Sequence, residues 1–358
     1  MGSLAVSGCR RGRQTDLELT GLWVLVIFTV AMALIFDAIN GFHDAANSIA
    51  TVVSTRVLSP RTAVLWAAFF NFVAMFIFAP KVADTISKIV HIQQGDPVYV
   101  EVVLAGLVGA IAWDLLTWWW SLPTSSSHAL IGGFAGAGVA FKGWEAVHWD
   151  KLWTVMLFIP IAPLIGFAFG FGLMVAVYWI FRRWRPVAID RFFRKGQLLS
   201  AALYSLGHGG NDAQKTMGII VALLVAHGTF TPDTQLSLTD FSTAWIILSC
   251  HLAMAIGTML GGWRIVKTMG IKVTKLQPVG GCCAETAGAA TLFMATLLGI
   301  PVSTTHTIAG GIIGVGATRR LTGIKWDIAF RIVMAWVVTI PCSAVISALT
   351  FFAFAAMR

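Results

Sequence analysis

Long uncharged stretches of apolar residues dominate the chain and alternate with short polar segments. Among the stretches that lack Asp, Glu, Lys and Arg are residues 19–36, 62–80, 152–181, 241–263 and 332–357. A membrane-spanning helix needs roughly 20 mostly apolar residues, because each residue adds about 1.5 Å across a hydrocarbon core about 30 Å thick. Several stretches are long enough to cross. The pattern therefore predicts an all-α membrane protein, a polytopic helical bundle.

Composition and charge narrow the class further. Of the 358 residues, 57% are hydrophobic and 11% are charged, whereas a soluble domain carries about 25% charged residues. The net charge of +9 comes from basic residues in short segments between the apolar stretches, where they would face anionic lipid. We therefore expect a multi-pass protein of the plasma (inner) membrane, with lipid and not nucleic acid as its partner.

An internal duplication is the most informative feature. Residues 122–140 read LPTSSSHALIGGFAGAGVA and residues 300–318 read IPVSTTHTIAGGIIGVGAT. They align without gaps and share a proline, a serine, a histidine and four glycines. These identities are Pro123/Pro301, Ser125/Ser303, His128/His306, Gly132/Gly310, Gly133/Gly311, Gly136/Gly314 and Gly138/Gly316. Upstream, residues 40–47 (NGFHDAAN) match residues 208–215 (HGGNDAQK) and bring Asp44 opposite Asp212.

The two motifs follow in the same order in each copy, so the chain is predicted to consist of two homologous halves. We expect an N-terminal tail over 1–18, a first transmembrane repeat over 19–181, a basic cytoplasmic linker over 182–197 and a second repeat over 198–358. Many secondary transporters have such repeats, inverted when each half crosses an odd number of times, with the substrate site between them. Glycine and proline weaken or stop helices, so both motif pairs are expected to interrupt their helices.

A trio of hydroxyl residues closely follows each shared proline. The trios are Ser125, Ser126 and Ser127 in the first half and Ser303, Thr304 and Thr305 in the second. A helix that opens there presents free backbone N–H groups and a partial positive charge, which suit an oxyanion. Two such starts meeting at a pseudo-twofold axis would form a cradle for a tetrahedral anion. Simple capping of the helices by Ser and Thr is the alternative.

Three acids lie in apolar surroundings. A carboxylate inside the bilayer costs at least about 2.5–3.5 kcal/mol and is a functional candidate by default. Asp44 and Asp212 are expected to bind Na⁺ or to take up a proton, with Asn47 and Gln214 as neutral oxygen ligands nearby. The alternative is a salt bridge, for instance from Asp212 to a basic residue on a neighbouring helix. Glu285 is expected to have a proton or cation role, with a structural buried carboxyl as its alternative.

Histidines and glycines are interpreted as packing residues. His128 and His306 end the hydroxyl trios, and a histidine on an apolar face is usually a packing residue. The pattern contains no Cys/His cluster with metal-site spacing, so no metal site and no cofactor besides the coupling ion is expected. The Gly-x-Gly patterns lack a preceding strand and are interpreted as close-packing surfaces of helices, not as nucleotide loops.

Three segments resemble the inorganic phosphate transporter (PiT) family: residues 41–48 (GFHDAANS), 207–218 (GHGGNDAQKTMG) and 301–306 (PVSTTH). The resemblance covers nearly the whole chain. It implies an inverted-repeat fold with two re-entrant helical hairpins whose tips hold phosphate, symport with Na⁺ or H⁺, and a homo-oligomer. The site residues that it implies, besides the two trios and Glu285, are Asp44, Asn47, Ser48, Asn211, Asp212, Gln214 and Thr216.

One position departs from the family pattern, since His43 stands where the second half has Asn211. This form is similar to a bacterial low-affinity branch and favours proton coupling, with phosphate carried as a neutral metal complex. Within the same fold the alternative is a sulfate permease. An anion channel and a membrane phosphotransferase are further alternatives. An enzyme would need an asymmetric site, whereas the two halves supply matched residues, so no enzyme is predicted.

Overall fold

The computed structural model describes residues 3–319 and 324–357, and its regular structure is helical. The helices are α1 (Ser3–Ser54), α2 (Pro60–Val73), α3 (Lys81–Ser87), α4 (Val98–Trp119), α5 (Ser126–Lys142), α6 (Trp149–Ile180), α7 (Pro186–His227), α8 (Phe241–Leu260), α9 (Trp263–Lys267), α10 (Pro278–Leu297), α11 (Thr304–Ala317) and α12 (Trp326–Met357). The predicted all-α class is confirmed.

Five described helices are long and apolar enough to cross a membrane. They are Gly21–Ser54, Val98–Trp119, Trp149–Ile180, Phe241–Leu260 and Trp326–Met357. A sixth span arises if Pro60–Phe76 is joined to Lys81–Ser87, which bends away from it by 85°. The uncharged stretch 62–80 falls on this bent pair, and the other four stretches fall on long helices. The polytopic bundle is therefore as predicted.

The aspartate motifs do not interrupt their helices, so that prediction was wrong. α1 and α7 run without a break through Asp44 and Asp212. The motif glycines instead allow another helix to approach closely. A Cβ atom would lie 2.2 Å from the backbone oxygen of Met254 at Gly41, and 2.4 Å from that of Asn71 at Gly209. Each glycine destabilises its helix by about 1 kcal/mol relative to alanine. Glycine is nevertheless required here, because no larger residue fits where the helices cross.

The hairpin prolines do mark breaks, as predicted. Extended segments containing Pro123 and Pro301 precede the starts of α5 and α11. Each short helix then packs with its glycine face on a helix of the other half. A Cβ at Gly132 would lie 2.6 Å from the backbone oxygen of Ile340 on α12, and a Cβ at Gly310 would lie 2.1 Å from that of Pro163 on α6. The prediction of close-packing glycine surfaces is thus confirmed.

The halves therefore exchange partners, since α5 packs on α12 while α11 packs on α6. α1 likewise packs on α8, and α7 packs on α2. Reciprocal exchange is the pattern expected of two homologous halves. The inverted relation of the halves and the boundaries 1–18, 19–181, 182–197 and 198–358 stay predictions.

Buried apolar side chains form two large clusters with a polar layer between them. On α1 one cluster includes Phe36 and the other includes Ala46. On α7 the clusters include Ala213 and Tyr204. The two motif aspartates lie in the interval on each helix, where the apolar packing gives way to polar contacts.

Candidate functional site

A buried polar cluster lies where α1 and α7 pass the starts of α5 and α11. Asp44 and Asp212 are 2% and 0% exposed. The hydroxyl of Thr304, at the start of α11, donates to Asp212 Oδ2 over 2.9 Å and lies 3.4 Å from Asp44 Oδ2. The cluster therefore joins the two motif types, and the halves meet in it.

Asp44 has contacts with a histidine and with both hairpin starts. The Nδ1 atom of His43 lies 2.8 Å from Asp44 Oδ1. The hydroxyls of Ser126 and Thr305 lie 3.4 Å and 3.5 Å from its oxygens. The other ring nitrogen of His43 lies 3.2 Å from the hydroxyl of Thr117, which fixes the ring between α1 and α4.

Asp212 has a stronger basic partner. The ammonium of Lys215 donates to Asp212 Oδ1, and His208 Nε2 lies 3.3 Å from Oδ2. We expected any salt bridge to come from a neighbouring helix, but Lys215 is on α7 itself. Residues three apart on a helix share one face, so this pairing follows from the helix geometry.

The first hydroxyl of each trio is a helix cap. Ser125 Oγ accepts from the backbone N–H of His128 over 3.3 Å, and Ser303 Oγ accepts from that of His306 over 3.2 Å. A Ser side chain that accepts from the third residue of its helix is an N-cap. The capping interpretation therefore describes these two serines.

The second and third hydroxyls of each trio face the aspartate motifs. Ser126 reaches Asp44, as Thr304 reaches Asp212. Ser127 accepts from Lys215 over 2.5 Å, and Thr305 accepts from Asn47 over 2.9 Å. Lys215 and Asn47 hold matching positions, three residues after the aspartates. The contacts of Ser126 and Ser127 thus match those of Thr304 and Thr305, with each residue replaced by its counterpart in the other half.

Two of the sequence-predicted ligands point elsewhere. Asn211 donates to Thr296 over 3.0 Å and accepts from the backbone N–H of Val302 over 3.4 Å, so it holds the extended segment before α11. Gln214 donates to the backbone oxygen of Ala79 over 3.0 Å and accepts from the N–H of Val82 over 2.9 Å. Gln214 therefore secures the bend between α2 and α3, and it makes no hydrogen bond to the cluster within the described residues.

Glu285 lies in a separate polar cluster. Its carboxylate accepts from Thr51 over 2.5 Å, from Gln197 over 3.0 Å and from Ser200 over 2.5 Å. These donors come from α1 and α7. Thr51 follows Asp44 on the continuous helix α1 by two turns, about 10 Å along the axis. The structure thus joins Glu285 to the motif helices without bringing it to the aspartates.

His128 and His306 meet where the two short helices approach each other. Their ring centroids are 4.7 Å apart, and the ring of His306 stacks on Trp336 at 3.9 Å. Both histidines are buried. These ring contacts are the ones that the packing interpretation predicts.

A group of three residues near the centre of the cluster could share a cation. One ligand atom from each of Asp44, His208 and Asp212 lies within 4.8 Å of the others. The sequence contained no metal-site spacing, because these ligands come from two helices that are far apart along the chain. Carboxylate and imidazole ligands together suit a divalent transition-metal ion, whereas a hard cation would be bound by the carboxylate oxygens alone.

The segments between α4 and α5 (120–125) and between α10 and α11 (298–303) are the tips of the two hairpins. A basic side chain and a threonine, together called a clamp, hold each tip, and the sequence did not reveal them. Lys81 Nζ donates to the backbone oxygen of Leu297 over 3.1 Å, and Thr85 donates to that of Gly299 over 2.8 Å. The same arrangement recurs at the first hairpin. There Arg264 donates to Trp119 over 2.9 Å and Thr268 donates to Ser121 over 3.2 Å, both to backbone oxygens.

Each clamp thus pairs a basic residue with a threonine one turn later, on helices that follow α2 and α8. The basic groups reach the C-terminal ends of α4 and α10, where the helix dipole favours a cation. Gly299 and Ser121 both have a positive φ, of 71° and 58°. The two tips therefore share their backbone conformation as well as their clamp.

Comparison with known proteins shows which family the chain is similar to. The model of the phosphate transporter family matches residues 40–347. A Rhizobium meliloti (strain 1021) protein described as a probable low-affinity inorganic phosphate transporter is 52% identical over 337 residues, covering 94% of this chain and 98% of that one. A Bacillus subtilis (strain 168) protein of the same description is 44% identical over 335 residues, covering 92% and 97%.

A solved structure described as the sodium-dependent phosphate transporter has the same fold. Its TM-score is 0.86 at 23% sequence identity, covering 94% of this chain and all of that chain. The family and the apolar helices confirm a multi-pass protein of the plasma membrane, and a transport protein in place of an enzyme. The chain belongs to the phosphate transporter family.

Proposed function

We propose that the chain is a symporter that carries inorganic phosphate across the plasma membrane together with a coupling cation, H⁺ or Na⁺. The observation that carries the proposal is that hydroxyls at two helix starts converge on a pair of buried carboxylates. Relatives described as probable low-affinity inorganic phosphate transporters support phosphate as the substrate.

The helix starts supply the anion-binding groups. The first N–H groups of α5 and α11 have no partner within their own helices, apart from those that Ser125 and Ser303 cap. The partial positive charge at a helix start favours an anion there. Ser126 and Thr304 add hydroxyl donors at the same two points. A tetrahedral oxyanion between the starts would therefore find donors from both halves.

The charges explain why a cation must travel with the anion. Asp44 and Asp212 carry two formal negative charges, and Lys215 supplies one fixed positive charge beside Asp212. Like charges about 4 Å apart repel by about 4 kcal/mol even at an effective dielectric of about 20. Phosphate would meet that repulsion from Asp44 unless a proton or Na⁺ neutralised the carboxylate. Anion and cation binding are coupled in this way.

The hydroxyl of Thr304 adds a second coupling. It has one hydrogen to donate, and it donates to Asp212 in this conformation. When phosphate accepts that hydrogen, the carboxylate loses a partner inside an apolar protein, which is costly. A cation bound at Asp44, which lies 3.4 Å from the same hydroxyl, offsets part of that loss. At the other carboxylate of the pair, His43 Nδ1 lies 2.8 Å from Asp44 Oδ1 and is the neighbouring group that can exchange a proton with Asp44.

One observation favours phosphate over sulfate. The side-chain oxygen Oδ1 of Asn47 is buried and accepts no hydrogen bond from the described residues. Phosphate near neutral pH retains a hydrogen that it can donate to this oxygen, and sulfate retains none. The carboxylates and His208 could also hold the metal of a neutral metal–phosphate complex.

Uptake into proteoliposomes tests the proposal. Labelled phosphate would be offered under an inward Na⁺ gradient at equal pH and, separately, under an inward H⁺ gradient without Na⁺. We expect one gradient to drive accumulation above equilibrium, and an ionophore that dissipates that gradient to abolish it. Excess sulfate should leave most of the uptake, and a chelator of divalent ions shows whether a metal complex is the carried species.

Three results would contradict the proposal. Equal uptake without either gradient would identify a channel. Strong inhibition by sulfate, with sulfate itself accumulated, would identify a sulfate permease. Purified protein that binds phosphate but releases a phosphorylated product would indicate an enzyme.

A further inference from the structure

Lys215 is a buried lysine at the centre of the polar cluster. It is 1% exposed, and its ammonium contacts Asp212 Oδ1, Ser127 Oγ at 2.5 Å and the backbone oxygen of Val302 at 2.6 Å. An ammonium has three hydrogens to donate. All three are engaged, so Lys215 has no hydrogen free for an incoming anion in this conformation.

The oxygens around Lys215 resemble a cation site. A carboxylate, a hydroxyl and a backbone carbonyl are the ligand types that hard cations take in proteins. They come from three separate parts of the fold, namely α7, the start of α5 and the extended segment before α11. The ammonium is a compact point charge, and it connects these parts as a bound metal ion would.

The other half has no such charge. Asn47 holds the matching position there, and it donates to Thr305 as Lys215 donates to Ser127. Within the described part of the chain, Asp44 therefore has the titratable group His43 as its basic partner and contacts no lysine. The two halves of the cluster therefore differ at this position by one ammonium group.

We infer that Lys215 is a tethered cation that replaces a mobile Na⁺ at the Asp212 carboxylate, so that Asp44 is the carboxylate at which a coupling cation binds and leaves during transport. The inference rests on the proposed function, since it assigns the coupling cation to one half of that site. It makes Lys215 a specificity-determining residue for coupling, and not a ligand of phosphate.

The test exchanges the lysine for the residue of the other half. In Lys215→Asn the Asp212 carboxylate loses its counter-charge, and the ligands around it should bind Na⁺. We expect binding of labelled ²²Na⁺ in detergent to rise by one ion per chain relative to wild type. We also expect NaCl, compared with choline chloride, to stimulate phosphate uptake at least about tenfold more in the variant than in wild type.

A second variant covers the case in which Lys215→Asn fails to fold, because an uncompensated buried carboxylate is strongly destabilising. The double variant Asp212→Asn with Lys215→Asn removes both charges. It should fold, because no buried charge is left unpaired, and it should gain no Na⁺ site relative to wild type, since the carboxylate is gone. The exposed lysine variant Lys88→Asn serves as the control for general loss of a positive charge.

The outcomes separate this inference from the proposed function. If wild type shows gradient-driven uptake but folded Lys215→Asn gains neither Na⁺ binding nor Na⁺ stimulation, Lys215 is not a cation substitute. A gain of ²²Na⁺ binding in the double variant would show that Asp212 is not the carboxylate that Lys215 neutralises, and it would equally overturn the inference. If phosphate uptake by the wild type is not driven by a Na⁺ or H⁺ gradient, the result would instead contradict the proposed function.

Discussion

The hydroxyl of Thr304 lies near both carboxylates of the cluster, those of Asp44 and Asp212. This hydroxyl donates to Asp212 and lies within 3.4 Å of Asp44, while Asn47 donates to it over 3.3 Å. A side chain that contacts both halves and opens a helix is well placed to sense the anion. Its removal should therefore affect the affinity for phosphate more than the stability of the fold.

We predict that Thr304→Val raises the phosphate concentration for half-maximal uptake by about ten- to a hundredfold. Hydrogen bonds to charged groups contribute about 1.5–3 kcal/mol, and each 1.4 kcal/mol is a factor of ten. Uptake by proteoliposomes measures the change. Thr307→Val is the matched control, because that buried hydroxyl donates to the backbone oxygen of Ser303, the N-cap of the same helix. An unchanged value for Thr304→Val would place the anion elsewhere.

Sequence comparison of the two halves could identify the acids and the hydroxyl trios, because those residues repeat. It missed Lys215 for the converse reason, since lysine aligns with Asn47 and appeared as a mismatch. The spacing of three residues from Asp212 was the available signal. The directions of Asn211 and Gln214 could not be predicted, because their partners belong to segments that only the fold brings near.

At the scale of the elements, α3 and the helical segment that follows α8 stabilise the hairpin tips in the same way. Each presents a basic residue and a threonine to the tip of one hairpin. The hairpin tips lie between the end of one helix and the start of the next, where unpaired backbone oxygens need donors. The clamps supply these donors from the other half of the chain.

We predict that Lys81→Met increases hydrogen exchange at the backbone of the second tip, residues 298–303, and leaves the first tip unchanged. Arg264→Met should do the reverse, at residues 120–125. Each variant removes one hydrogen bond of its clamp, which contributes about 1 kcal/mol, the usual net value of such a bond. Mass spectrometry of the two variants measures both tips at once, so each variant is the control for the other. Equal exchange at both tips would contradict the assignment of the clamps.

The motif glycines show why the breaks between helices were harder to predict than the helices themselves. Glycine in an apolar stretch fits a broken helix and a tight crossing equally well. The choice depends on whether a backbone from a distant segment lies against it. For Gly41 that backbone is Met254, far along the chain, and nothing local to the motif reveals it. Proline was a safer signal, because it lacks the N–H that a helix interior needs.

For the whole molecule, the exchange of packing partners means that neither half contains the helix on which its own glycine face packs. The glycine faces of α5 and α11 pack on α12 and α6, each from the other half. Lipid does not drive apolar helices together, so close contact of small residues has to hold these pairs. A half on its own would leave one such face without its partner.

We therefore predict that residues 1–181 expressed alone give no folded, monodisperse protein in detergent. Co-expression with residues 182–358 as a second polypeptide should restore phosphate uptake to within about tenfold of the intact chain, because every packing partner is then present. Size-exclusion chromatography and uptake measure the two effects. A first half that is folded and monodisperse by itself would show that the exchanged contacts are dispensable.

The pairing of α5 with α12 also has a consequence for biosynthesis. The ribosome completes α5, with its open polar start and its glycine face, long before it reaches Trp326, where α12 begins. During that interval the first hairpin lacks its final neighbour within the growing chain. The packing of α5 on α12 is therefore completed only after α12 has been translated, although α4 is present from the start.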